Sequence, residues 1–206
     1  MKKIYKWLIV LVILVISTII YFFISKKKVI IIGDSYIVNL QNFCKNSNNC
    51  ISRNNFIFFG INGMTSEELL LSIIKNNIFR RIFYYDTVFI LIGTNDIKKN
   101  IEVNRYIENI KKIIQLITAE KRWIKKKIYL INIPNIYLFP ENKYFTQEQI
   151  KKINIYNLKL KEFFGIDKII DIYQINIKPD NYQDDGIHFN KVGTNNLFNE
   201  ILKKIE

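Results

Sequence analysis

Among 206 residues there is a single histidine, with only two cysteines, three prolines and seven glycines. One imidazole and two thiols are too few for a transition-metal site, and the thiols lack the usual C-x₂₋₄-C spacing. No metal or other cofactor is expected. Cys44 and Cys50 share a polar stretch, where they pair if the compartment is oxidising or remain two free thiols. Glycine, proline and alanine are sparse where isoleucine, asparagine and lysine abound. That skew looks like a genome-wide bias, and it discounts lysine content as a sign of function.

The formal net charge is +13, which invites a nucleic-acid reading until the charges are placed. Six of the 31 basic residues (Lys2, Lys3, Lys6, Lys26, Lys27 and Lys28) flank an N-terminal apolar run, leaving 25 against 18 acidic ones. The densest remaining cluster, Lys121–Lys127, falls where a helix should end and a strand begin. Cations there complement a helix C-terminus. A solvated helix end is therefore favoured over a nucleic-acid patch, and no nucleic-acid partner is expected.

The apolar run Trp7–Ile24 holds 18 residues without a charge. As a helix it would span about 27 Å, close to the hydrocarbon thickness of a bilayer. Lysines bracket it, and Trp7, Tyr21, Phe22 and Phe23 suit the interfaces. A cleaved signal peptide would want a shorter apolar core and small residues at the cut. This run has no alanine, carries bulky residues near its end and is followed by no lipidatable cysteine. The expectation is an uncleaved single-pass anchor over residues 1–28 and a second unit over 29–206. Basic residues tie across the segment, so the α-amine tips the N-terminus toward the cytoplasm and the remainder outside it.

From residue 29 short apolar runs alternate with helical periodicity, and no internal repeat is visible. Strands are expected at Val29–Gly33, Phe56–Gly60, Thr87–Gly93, Lys127–Ile133 and Lys168–Tyr173, several continuously apolar as buried parallel strands are. Helical spacing marks Val103 to Ile117, Ile150 to Phe164 and Leu197 to Ile205. Thr65 and Glu68 have capping-box spacing after Gly63. The alternation predicts an α/β domain with a parallel sheet covered on both faces. Ligands of such sheets bind outside the carboxyl ends of the strands.

Chemistry-bearing residues sit at those ends. Ser35 follows the first strand, Gly63 the second and Asn95 the third, while Asp185 and His188 follow the fifth. A serine hydroxyl attacks only when a base removes its proton, and His188 is the only imidazole available. Asp185 is spaced to reach back across a Gly186 turn and hold the second ring nitrogen. An oxyanion would need donors, for which the candidates are the N–H of Ser35, the N–H of Gly63 and the Asn95 amide. Gly60 competes with Gly63 for that role. Asp34 and Asp96 read as carboxylates that fix loop backbone.

Four blocks in this order resemble the SGNH (GDSL) hydrolases: Gly33-Asp34-Ser35-Tyr36, Gly63-Met64-Thr65-Ser66, Gly93-Thr94-Asn95-Asp96 and Asp185-Gly186-Ile187-His188. The stretch from Gln183 to Asn190 is especially similar to the thioesterase/lysophospholipase/arylesterase branch. The resemblance implies a flavodoxin-like three-layer α/β/α fold with a five-stranded parallel sheet. It also implies Ser35 as nucleophile, His188 as base, Asp185 as orienting acid, and Ser35, Gly63 and Asn95 as the oxyanion hole. Tyr36 stands where the family most often has leucine, and Phe189 where proline is usual. The G-x-S-x-G elbow of the other large α/β-hydrolase class is absent.

The expected activity is that of a membrane-anchored serine esterase. Its substrate would be an O-acetylated envelope glycan or a lipid ester. An O-acyltransferase would use the same residues, and a non-catalytic anchored binding module is a further alternative. The aromatic loop Asn135–Phe145 either lines the substrate pocket or packs over the sheet.

Overall fold

Five apolar runs pair into one sheet in a computed structural model that describes residues 11–17, 28–46, 50, 55–75, 85–119, 126–137, 144–172 and 178–205. The strands are β1 (Lys28–Gly33), β2 (Asn55–Gly60), β3 (Thr87–Leu91), β4 (Lys127–Ile131) and β5 (Ile169–Ile170). All neighbours are parallel, in the order β2-β1-β3-β4-β5. β1 and β3 are central and read as unbroken apolar runs because both their faces are covered. Ile31, with Phe58 and Phe89 as its partners on either side, is wholly buried.

The helices are α1 (Ser35–Asn46), α2 (Ser66–Lys75), α3 (Thr94–Lys98), α4 (Val103–Thr118), α5 (Gln147–Phe164) and α6 (Lys191–Ile205). The chain runs from β1 to β2 in one direction and from β2 to β3 in the other. Right-handed crossovers then put α1 on one face and α2, α4 and α5 on the other. The packing agrees: α1 lies against α6, α2 against α4, and α4 against α5. The result is a three-layer α/β/α fold. The reversal between β1 and β3 opens a crevice at their carboxyl ends, the usual ligand position in such sheets.

Local chemistry sets the helix starts. Glu68 accepts the N–H of Thr65 at 2.8 Å while Thr65 Oγ1 accepts the N–H of Glu68 at 3.3 Å, so the predicted capping box is present. Thr146 and Gln149 form a second box at the start of α5.

β5 is only two residues long, where Lys168–Tyr173 was expected. A 3₁₀ turn over Ile166–Lys168 occupies its approach. Beyond Ile170, side chains replace the ladder. Asn132 Oδ1 accepts the N–H of Ile172 at 2.7 Å, and its Nδ2 donates to Asp171 at 2.8 Å. β3 and β4 likewise end two residues early, and Asn157 takes up both the N–H and the C=O of Ile133. Parallel pairing thus gives way to buried amides where the chain turns toward the site.

Of the apolar segment Trp7–Ile24, only residues 11–17 are described; they are helical with exposed side chains. The rest of that segment and Lys121–Lys125 lie outside the described residues. Among the described residues no helix is long and apolar enough to cross a membrane. Cys44 and Cys50 are joined as a disulfide with a Cα–Cα distance of 5.1 Å, and Cys44 sits in the last turns of α1 rather than in a loop.

Candidate active site

Ser35 is the first residue of α1, so the strand-to-helix turn lifts its hydroxyl over the carboxyl edge of β1. Asp34 holds the turn. Its Oδ1 accepts the N–H of Tyr36 at 3.1 Å, and its C=O accepts the N–H groups of Ile37 and Val38. The N–H of Ser35 has no hydrogen-bond partner among the described residues. It is one of the unpaired N–H groups at the positive end of the α1 dipole, where negative charge is favoured.

His188 comes from the loop between β5 and α6, and its Nε2 lies 2.9 Å from Ser35 Oγ across 153 positions of sequence. Its Nδ1 lies 2.6 Å from Asp185 Oδ2. An ionised carboxylate only accepts, so Nδ1 carries the ring proton and Nε2 is free to accept from the serine. Asp185 Oδ1 accepts the N–H groups of Ile187 at 2.8 Å and His188 at 2.9 Å. Gly186, at φ 65°, makes the tight turn that lets one carboxylate reach all three donors. Burial pushes the Asp185 carboxyl up, but the His188 ring and the two N–H groups outweigh it and hold it below the usual carboxylate range.

The remaining candidates converge on the same cleft, of about 340 Å³, which Ser35, Gly63, Asn95 and His188 all line. Gly63 sits at φ 75° with open space where a Cβ would point. Its N–H has no partner among the described residues. Gly60 is excluded from this role, because it pairs in β2 and packs on the backbone of Asp34 and Val38. Asn95 Nδ2 donates one hydrogen to the C=O of Met64 at 3.2 Å, which orients the amide and leaves its second hydrogen for a ligand.

Asp96 is the brace beneath this arrangement. Its oxygens accept the Ser66 N–H at 2.9 Å and the Ser66 hydroxyl at 2.5 Å, and Asn109 donates to that hydroxyl at 2.9 Å. The turn after β2 is thereby locked to the turn after β3. Burial raises the Asp96 carboxyl despite these bonds. Asp34 is fully buried, its Oδ2 has no partner among the described residues, and burial pushes it up to about 7. Both carboxylates serve the backbone, as the sequence suggested.

Three positioning contacts had no motif to reveal them. Tyr36 donates its hydroxyl to the C=O of Ile187 at 2.5 Å, tying α1 to the histidine loop. Its ring also packs on Phe189 at 5.0 Å, so the two departures from the family pattern form a contact with each other. The N–H of Tyr137 donates to the C=O of Gly186 at 2.8 Å. Of the aromatic loop Asn135–Phe145, Phe145 lines the cleft and Ile136 is buried, while 138–143 lie outside the described residues.

A nucleophile, a base and oriented donors at the switch point of a parallel sheet are the equipment of a carboxylic ester hydrolase. The chain belongs to the GDSL-like lipase/acylhydrolase family, whose sequence profile matches residues 31–195. Among solved structures, a lipase/acylhydrolase from Enterococcus faecalis aligns with a TM-score of 0.66 at 25% identity, covering 87% of this chain and 95% of that one. An acetylxylan esterase from Geobacillus stearothermophilus aligns with a TM-score of 0.62 at 16% identity, covering 88% and 94%. A curated N-acylneuraminate cytidylyltransferase from Escherichia coli O18:K1:H7 (strain RS218 / NMEC) is 29% identical over 153 residues. That stretch is 71% of this chain and 34% of the relative, so the chain spans about a third of that protein's length.

Proposed function

We propose that this chain is a membrane-anchored serine esterase that removes O-acetyl groups from envelope glycans outside the cytoplasm. Residues 1–28 form the anchor and 29–206 the hydrolase domain. The observation that carries the reading is the unbroken contact chain from Ser35 Oγ through the His188 ring to Asp185. Ser35 attacks the ester carbonyl as His188 takes its proton, and the oxyanion is held by the N–H groups of Ser35 and Gly63 and the Asn95 amide. His188 then returns the proton to the leaving alcohol. Water, deprotonated by the same ring, cleaves the acyl-enzyme to release the acid and restore the serine.

Several features support a glycan over a bilayer lipid. β1 begins four residues after the apolar segment, and its six residues rise about 20 Å away from that end before reaching Ser35. The cleft is lined by Asn39, Asn62, Thr94, Lys98 and Gln183 as well as by apolar groups, and among the described residues by no carboxylate that would repel an acidic sugar. The same fold serves a glycan acetyl ester in the Geobacillus protein. The disulfide supports an oxidising compartment.

The test uses the full chain in detergent against p-nitrophenyl esters of increasing acyl length, alongside a fluorophosphonate probe. Turnover should be highest with acetate, and labelling should vanish in Ser35→Ala and His188→Ala. Absence of labelling in the parent protein would remove the esterase reading. A rise in turnover with chain length would replace the glycan by a lipid.

A further inference from the structure

Ser35 is one end of a polar stripe. Ser35, Asn39, Asn42 and Asn46 are spaced i, i+4, i+7 and i+11 along α1, so they share one helix face over about 16 Å. Beside that face lies a second cleft, of about 370 Å³, walled by α1 on one side and by Gln183, Phe189 and the start of α6 on the other. Asn39 and Gln183 line both this cleft and the one containing Ser35, so the two adjoin.

We propose that this second cleft is a subsite for the sugars next to the acylated one, so that the enzyme acts on residues within a glycan chain. The proposal rests on the esterase reading above and adds the form of the substrate. The carboxamides of Asn39, Asn42 and Asn46 make no hydrogen bond among the described residues. Each offers a donor and an acceptor, as the vicinal hydroxyls of a sugar require. An acyl chain laid there would bury those amides unsatisfied, at about 1–3 kcal/mol each. Phe43 supplies an aromatic wall for the C–H face of a sugar ring. The disulfide at Cys44 holds the end of α1, which keeps Asn46 in register with the rest of the stripe.

The experiment compares p-nitrophenyl acetate with partially O-acetylated oligomers of xylose and of galacturonic acid, one to six sugars long. The parent protein should show kcat/KM rising with oligomer length for at least one series. Asn42 and Asn46 are exposed and helical, so alanine there preserves the fold. In Asn42→Ala and Asn46→Ala the ratio of oligomer to p-nitrophenyl acetate kcat/KM should fall about fivefold per lost hydrogen bond, mainly through KM. No length dependence in either series, or equal losses on both substrates, overturns the subsite. Calorimetric titration of Ser35→Ala with the hexamers reads the subsite without turnover, and binding there should be weakened by adding Asn42→Ala. If p-nitrophenyl acetate is not hydrolysed but this binding is seen, the esterase reading fails and the cleft remains a glycan-binding site without the catalytic role.

Discussion

The turns after β1 and β3 are built alike and work differently. Each carries a glycine at or just before the start of a helix, and each buries an aspartate completely. Asp34 serves only its own turn: one oxygen accepts the Tyr36 N–H and the other has no partner among the described residues. Asp96 reaches another part of the chain, taking both the N–H and the hydroxyl of Ser66. In the proposed function the first turn presents one hydroxyl, which a helix start does unaided. The third would hold Asn95 in register with Gly63, which arrives on a different strand, and a cross-brace serves that. A buried carboxylate is costly in either place. Only at Asp96 do bonds to both oxygens offset that cost.

The largest effect that would test this division is catalytic. Ser35→Ala in the first turn should abolish ester turnover, whereas Asn95→Ala in the third should lower kcat by about 10²–10³ with KM little changed. Equal and total loss in both would mean that Asn95 does more than donate to the oxyanion. Next comes the brace. Asp96→Ala should cost about 3 kcal/mol in urea unfolding, since it removes charge-assisted bonds and strands the Ser66 hydroxyl. It should also lower kcat by loosening Gly63. A stable variant with full activity would show that the two turns hold their register without it.

The disulfide gives a smaller effect. Cys44→Ser with Cys50→Ser should cost roughly 2 kcal/mol, as expected for a short closed loop, and show as a lower unfolding midpoint under oxidising conditions. The pH response of Asp34 probes the first turn separately. Its carboxyl sits at about 7 when folded, against 3.8 in an unfolded chain. Between those values the folded protein keeps a proton that the unfolded chain has released, so this group makes stability fall as pH rises from about 4 to about 7. Above that window its contribution is flat. Asp34→Asn keeps the bond to Tyr36 and removes the titration, so its urea stability should decline less over the same range. An unchanged slope would place the titration elsewhere, with Asp96 the next group to examine.

How far each region was legible depends on how local its chemistry is. The glycine-aspartate-serine turn, the capping box at Thr65 and the Asp185–His188 spacing are contacts within a few residues, and a sequence displays those directly. Central strands were legible as well, because burial on both faces leaves an unbroken apolar run. β5 was not, since its outer half is replaced by the Asn132 amide, 40 positions away from Ile172. Tyr36 and Phe189 looked like separate departures from a family pattern. Only folding brings their rings within 5.0 Å of each other and the Tyr36 hydroxyl onto the loop that carries the histidine.

The sequence by itself determined the alternation of strand and helix, the order of the four site blocks and the identity of the lone imidazole. Those follow from periodicity and residue chemistry, which are properties of the chain one stretch at a time. Tertiary structure decided that Gly63 and not Gly60 faces the cleft, and that Asp96 braces while Asp34 does not. It also decided that the asparagines of α1 line a groove beside the cleft that holds Ser35. Each of these depends on which distant backbone packs alongside, and that is settled only when the sheet reverses its direction of growth and draws β1 and β3 together.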